Sequence, residues 1–267
     1  MKHSKIVIFG QYKTGTTALF YRIKNSLPSN IRTYFEQDKY LFEEADKDRF
    51  VLAKVILGKQ DTVRYETFRC FNKKIYLTRD PRDWIVSGTL FIIQQIPNLY
   101  KDTEKLKSVL EILKQKEKYP SSISLIHLID TIYKSIPGQS INDVKEWIKW
   151  LHPWLFEFEA QLDDYIFLRY EDFVCNRIKK LKQYLELSLN KNTEIAEEHN
   201  HVIRTKSFGD WANWFTQKDV DFFKPLFKEY IKRYDYSQDW TLNYKQQIRP
   251  EYCSQYVEYI VLKRKGI

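Results

Sequence analysis

The sequence predicts an α/β fold: a three-layer α/β/α arrangement around a central, mostly parallel sheet, with a P-loop-like phosphate-binding loop. Three observations carry this. The apolar run Ile6-Val7-Ile8-Phe9 leads into Gly10-Gln11-Tyr12-Lys13-Thr14-Gly15-Thr16-Thr17, which reads as strand, loop and helix start. Apolar strand-like runs then alternate with runs of helical period, the pattern of a parallel sheet covered on both faces. Charged motifs fall at predicted strand ends, the edge where open α/β sheets bind ligands.

The first strand is expected over about 4–10, and a helix from Thr16 to about Ser26 carries Leu19, Phe20 and Ile23 inward until Pro28 stops it. Ile31–Phe35 reads as the second strand, Tyr40–Arg49 as a helix, and Phe50–Leu57 as a continuous apolar strand that breaks at Gly58. Ile75–Thr78 is the next strand, and Pro81 suits the first position of the following helix. Residues 97–160 interrupt the rhythm as a helical insert. It holds a Lys-rich amphipathic helix (Leu106, Val109, Leu110, Leu113), then a looser stretch closed by Pro137 and Gly138. A helical stripe from Ile141 to Phe158 follows, in which Pro153 should kink or divide the helix. Tyr165–Leu168 resumes the sheet, Asp172 opens a helix to about Leu187, a loop covers 203–216, and Lys218–Arg233 is helical. The expected organisation is one α/β domain over 1–240 and a tail over 241–267, with Lys263-Arg264-Lys265 solvated.

At 267 residues and 43% hydrophobic content, the chain can bury a sizeable core. A net charge of +9 favours anionic partners. The basic residues scatter among acidic ones rather than forming the stripe expected of a nucleic-acid binder, so no nucleic acid is expected. Cys70, Cys175 and Cys253 lie far apart and show neither a disulfide framework nor metal-ligand spacing. No signal-peptide pattern and no apolar run of membrane length is apparent; a soluble, cytoplasmic protein without a bound metal is expected.

Four segments carry chemistry. In the loop at 10–17 the glycines are five apart, as in a nucleotide-triphosphate loop, but position 16 holds Thr16 where such a loop has lysine, and the cation is Lys13. Backbone amides at a helix N-terminus bind phosphate, and Thr14, Gly15, Thr16 and Thr17 supply amides and hydroxyls there. The second segment is Thr78-Arg79-Asp80-Pro81-Arg82-Asp83-Trp84-Ile85-Val86-Ser87. Arg79 can fork onto a phosphate or pair with Asp80 or Asp83, and Ser87 stands two helical turns on. The third, Leu168-Arg169-Tyr170-Glu171-Asp172, ends a strand in an aromatic that can contact a base and in acidic helix-capping residues. The fourth runs Arg204-Thr205-Lys206-Ser207-Phe208-Gly209-Asp210-Trp211-Ala212-Asn213-Trp214-Phe215-Thr216, two cations, a glycine and aromatics suited to a flap over a nucleotide.

In this order the four segments resemble the sulfotransferases that use 3′-phosphoadenosine 5′-phosphosulfate (PAPS). Lys13–Thr17 is similar to the family's Lys-[Ser/Thr]-Gly-Thr-Thr loop, Arg79 and Ser87 to its 3′-phosphate pair, and Tyr170–Asp172 to its Tyr-Glu-Asp strand end. Arg204–Thr216 resembles its late loop, with Thr205 in place of Lys and Lys206 in place of Gly. The resemblance spans roughly residues 5–235. It implies PAPS as donor, held by Lys13, Thr14, Gly15, Thr16, Thr17, Arg79, Ser87, Tyr170 and Arg204 or Lys206. It also implies a sulfuryl acceptor, a glycan or small molecule, bearing a hydroxyl or amine. Lys13 would stabilise the bridging oxygen as it leaves.

Ala18 stands where many members carry an adenine-stacking Trp, and Lys54-Val55-Ile56-Leu57-Gly58 lacks the histidine that cytosolic members place after the third strand. Glu36, at the end of the second strand, is the first choice for the base, with Asp38 beside it and His152, between Trp150 and Trp154, next. The insert is expected to wall one side of the pocket. Its lysines, Lys116 among them, suit either an acidic glycan or a plain solvated face. Two rivals share the loop: a P-loop kinase or NTPase using Asp80 as its Mg²⁺-binding acid, and a sulfotransferase-like protein that binds nucleotide without catalysis.

Overall fold

A computed structural model describes residues 4–47, 49–58, 62–190 and 194–266. Its centre is a parallel sheet of β1 (Lys5–Gln11), β2 (Arg32–Phe35), β3 (Val51–Leu57), β4 (Lys73–Thr78) and β5 (Tyr165–Arg169), in the order β2-β3-β1-β4-β5. The chain leaves β1 for β2 and β3 on one side and later for β4 and β5 on the other. The end of β1 is therefore the switch point at which such sheets bind ligands.

Contacts divide the chain into two units. Unit 1, residues 1–79 and 153–200, contains the whole sheet. β1 and β3 are buried on both faces, which is why they read as nearly continuous apolar runs rather than alternating ones. One face packs Ile6, Ile8 and Ile75 against α1 (Thr16–Lys24) and later chain, including Leu181 and Leu185. On the other, Phe9 meets Tyr65, Phe68 and Phe158 edge-on at ring separations of 5.2–6.1 Å. Helices on both faces complete the three-layer α/β/α fold.

Unit 2, residues 80–152 and 201–267, is helical. It holds α2 (Pro81–Ile92), α3 (Pro97–Tyr100), α4 (Thr103–Lys118) and α5 (Leu125–Tyr133). α6 (Ile141–Ala160) begins here and runs through Pro153 into unit 1. The helix is thus continuous at Pro153, but the boundary between the units falls at that residue. Unit 1 also carries α7 (Tyr170–Val174) and α8 (Lys179–Leu185), so the single helix expected from Asp172 is two short ones. Unit 2 finishes with α9 (Trp211–Trp214), α10 (Gln217–Arg233) and α11 (Ser254–Lys265). Among the described residues no helix is long and apolar enough to cross a membrane.

Several expectations change. Among the described residues of Tyr40–Arg49 there is no α-helix, only a 3-10 turn at Glu44–Asp46. Long-range bonds override the local pattern there: the buried Asp46 carboxylate accepts from the hydroxyls of Tyr34 and Tyr40, both at 2.7 Å, and pairs with Arg32 at 3.1 Å. The looser stretch of the insert contains α5, whose N-cap Ser124 accepts from the His127 amide. Lys116 lies on no solvated face. It is fully buried and donates to the carbonyls of Pro120 and Ile123, and burial lowers its pKa to about 8. The expected tail carries α11, which buries Tyr256, Val257, Ile260 and Val261 on one face and leaves Tyr259, Leu262 and Arg264 exposed.

His152 is a core residue. It is 4% exposed, its ring sits 4.7 Å from Tyr230 and 5.7 Å from Phe227, and no described residue pairs its Nε2. Burial pushes its pKa down to about 4, which a hydrogen bond with the Leu226 backbone only partly offsets. That enclosure removes it from the set of bases open to an acceptor.

The unfolded chain protonates this imidazole near its ordinary 6.5, whereas the folded chain resists until about 4. Unfolded protein therefore binds more protons in that window, and stability falls as pH drops through it. His152→Phe is expected to flatten this part of the stability–pH curve, measured by urea unfolding at intervals between pH 7 and 4.

Candidate active site

The loop after β1 is shaped by two close approaches and two left-handed residues. Gly10 sits where a Cβ would lie 2.8 Å from the Leu77 carbonyl oxygen. Gly15, at φ +91°, is the N-cap of α1, and a Cβ there would lie 2.5 Å from the Tyr170 ring. Lys13 is also left-handed, at φ +62°. The Thr14 hydroxyl, fully buried, donates to the Gln11 carbonyl at 2.7 Å and locks the turn. A glycine N-cap has no side chain to occupy the first amides of α1, and no acid lies in the helix's first turn. The helix therefore presents its positive end to whatever sits in the loop.

Arg79 follows β4 and is 4% exposed. Its Nη1 donates to the Lys13 carbonyl at 3.0 Å, and its guanidinium lies 4.5 Å over the Tyr170 ring. Its Nε and Nη2 are buried with no hydrogen-bond partner among the described residues. Buried N–H groups are rarely left unmade, since each costs about 1–3 kcal/mol, more when charged. The unmade pair leaves two charged donors that could serve an anion. Tyr170, expected to meet a base, backs both Gly15 and Arg79.

On the other flank of β1 lies a group that the sequence reading passed over. Lys54, 1% exposed on β3, donates from Nζ to Thr17 Oγ1 and to Glu36 Oε1, each at 2.8 Å. With its oxygen accepting from Lys54, Thr17 retains its O–H to donate outward. Glu36 has φ +59° and a side chain 40% exposed, just past the end of β2 as expected. His199 lies in the same unit, its Nδ1 2.7 Å from the Tyr21 hydroxyl. Nothing near His199 in the sequence marked it. Ala18 packs against the core beneath α1.

In unit 2 the Arg79–Ser87 motif continues as scaffold. Asp80 caps α2 through the Arg82 amide and is forked by the Arg82 side chain at 2.6–3.2 Å. Arg82 lies 4.3 Å from the Trp211 ring and 5.1 Å from Trp240. An aspartate committed in this way is poorly placed to hold Mg²⁺. Asp83, 1% exposed, accepts from the amides of Gly209 at 2.5 Å and Trp211 at 2.9 Å, pinning the late loop. That loop carries Arg204, 5% exposed, whose Nη1 donates to Asp210 at 3.1 Å and to the Tyr252 carbonyl at 3.3 Å. As with Arg79, its Nε and Nη2 have no partner among the described residues. Lys206 is exposed, so Arg204 is the cation that this fold holds in place. Ser87 is buried on α2.

No family model matches the chain. Over 168 residues, 59% of the chain, it is 28% identical to the mouse protein Sulfotransferase 2A6, of whose length the match spans 55%. Its structure is similar to that of mouse sulfotransferase SULT7A1 complexed with PAP, with a TM-score of 0.50, 19% identity and coverage of 88% of this chain and 86% of that one. The chain has the sulfotransferase fold. Retinol dehydratase in complex with androsterone and inactive cofactor PAP aligns at a TM-score of 0.45 and 15% identity, over 87% of this chain and 82% of that one.

Gly15→Ala is expected to destabilise the protein by about 2–3 kcal/mol, combining a left-handed alanine with overlap on Tyr170; thermal unfolding reads this directly. Asp83→Ala releases two amides of the late loop, and limited proteolysis is expected to cut within 205–210 faster than in the parent, with the phosphate loop unaffected.

Proposed function

We propose that the protein is a sulfotransferase that moves a sulfuryl group from PAPS to a hydroxyl or amine of an acceptor, a glycan or small molecule. The observation that carries this reading lies in unit 1, where the buried Arg79 guanidinium, its Nε and Nη2 unmatched, bonds the loop whose helix start has no side-chain cap. Open guanidinium donors beside a helix N-terminus suit a ligand carrying anionic phosphate groups. The SULT7A1 structure, of the same fold, is complexed with PAP.

In this reading the amides of Gly15–Thr17 and the Thr16 and Thr17 hydroxyls hold the 5′-phosphate. Arg79 offers its open donors to the 3′-phosphate, and the family resemblance also assigns Ser87 and Arg204 or Lys206 to that group. PAPS supplies an activated sulfuryl group, and the protein's task is positioning and charge stabilisation. Lys13 meets the negative charge that grows on the bridging oxygen. The acceptor approaches on the flank where Glu36 stands, and its proton leaves there.

The kinase reading is the weaker one. It needs a lysine at position 16, which holds Thr16, and a free Asp80, which is forked by Arg82.

Calorimetric titration with adenosine 3′,5′-bisphosphate and with ATP, each with and without Mg²⁺, decides between them. Metal-independent binding of the bisphosphate is expected, weakened on the order of 100-fold in Arg79→Ala through loss of charge-assisted bonds. A preference for Mg-ATP, or bisphosphate binding indifferent to Arg79→Ala, would sink the reading.

A further inference from the structure

Glu36 is poorly suited to act alone. Its carboxylate is paired at 2.8 Å with the buried ammonium of Lys54, so one of its oxygens is already committed. The same flank of unit 1 carries a second proton-accepting group. The Lys54 Nζ lies 3.8 Å over the ring of Phe35, the residue before Glu36, and that ring stacks on the His199 imidazole at 4.1 Å and 25°. The His199 side chain is 25% exposed, so it is neither enclosed like His152 nor fully solvated. One nitrogen, Nδ1, is engaged by the Tyr21 hydroxyl at 2.7 Å. A ring fixed at one nitrogen and on one face, with its other nitrogen available, is the arrangement of an oriented acid–base imidazole.

We propose that His199 is a further catalytic residue, taking the acceptor's proton at Nε2 while Glu36 stays with Lys54 and holds it against Thr17. This rests on the sulfuryl-transfer reading above. As the acceptor oxygen bonds to sulfur, the bond from sulfur to the bridging oxygen breaks. Its electron pair stays on that oxygen, where Lys13 meets it, and the acceptor's proton passes to Nε2. Nδ1 then carries the ring's own proton and donates to the Tyr21 oxygen. The charged groups that act on the ring are Glu198, whose carboxylate is 3.8 Å from Nδ1, together with Lys54, Glu36 and Lys24. Burial is the largest influence and lowers its pKa, which keeps the lone pair available at neutral pH.

The test is a pH titration of the imidazole nitrogens by ¹⁵N NMR, in the free chain, with adenosine 3′,5′-bisphosphate and with PAPS. The His199 signals are assigned by their loss in His199→Gln and by their displacement in Tyr21→Phe, which keeps the ring. The expected result is an unprotonated Nε2 in the free chain at neutral pH. The titration midpoint should move upward by roughly half a pH unit or more with PAPS, and less with the bisphosphate, because only PAPS brings a sulfonate charge to that flank. Release of the sulfuryl group from PAPS to water is expected to slow on the order of 100-fold in His199→Gln with PAPS affinity unchanged. A midpoint indifferent to bound PAPS, a protonated Nε2, or an equal release rate in the variant overturns the assignment of His199. Failure of both nucleotides to bind overturns the sulfuryl-transfer reading instead, and this inference with it.

Discussion

The Arg79 guanidinium is the point on which the site in unit 1 depends. One nitrogen fixes the Lys13 carbonyl and thereby a left-handed loop residue, one face rests on Tyr170, and Tyr170 in turn fills the space that only glycine leaves open at position 15. Loop, strand end and aromatic thus hold one another through a single cation. Such a cation keeps its charge at any relevant pH and has five donors, so it can brace the protein and still offer two donors to a ligand. Lysine in its place would keep the charge but lose the planar fork.

The acidic residues around Arg79 have different work. Asp80 and Asp83 look in the sequence like partners for Arg79 or ligands for a metal, but in unit 2 they belong to the scaffold. Asp80 starts α2 and fixes Arg82, and Asp83 secures the amides of Gly209 and Trp211. With these aspartates engaged elsewhere, the Arg79 guanidinium keeps its open donors.

Much of this was legible in the sequence because the determinants are local. Gly10 and Gly15 at fixed spacing, the apolar runs of β1 and β3, and the proline that opens α2 act within a few residues of themselves. What was not legible depends on contacts between distant segments. Tyr40–Arg49 has a helical pattern, but Asp46 is claimed by Tyr34, Tyr40 and Arg32. His152 looks like a base flanked by tryptophans until the aromatic rings of α10 close over it. His199 is 178 residues from Tyr21 and has no motif around it; only the folded sheet brings them together. Lys54 stands in an apolar strand and had one legible signal, a charge where both faces are buried, which demands a partner.

The geometry of the phosphate loop also has a thermodynamic meaning. Lys13 and Gly15 already occupy left-handed backbone wells, and the Thr14 hydroxyl is tied to the Gln11 carbonyl. The chain has therefore surrendered the loop's conformational entropy on folding, before any ligand arrives. Anion capture here needs little further ordering of the backbone, so a larger share of each new hydrogen bond is retained as affinity. The cost falls on folding, which must hold Lys13 in a left-handed well.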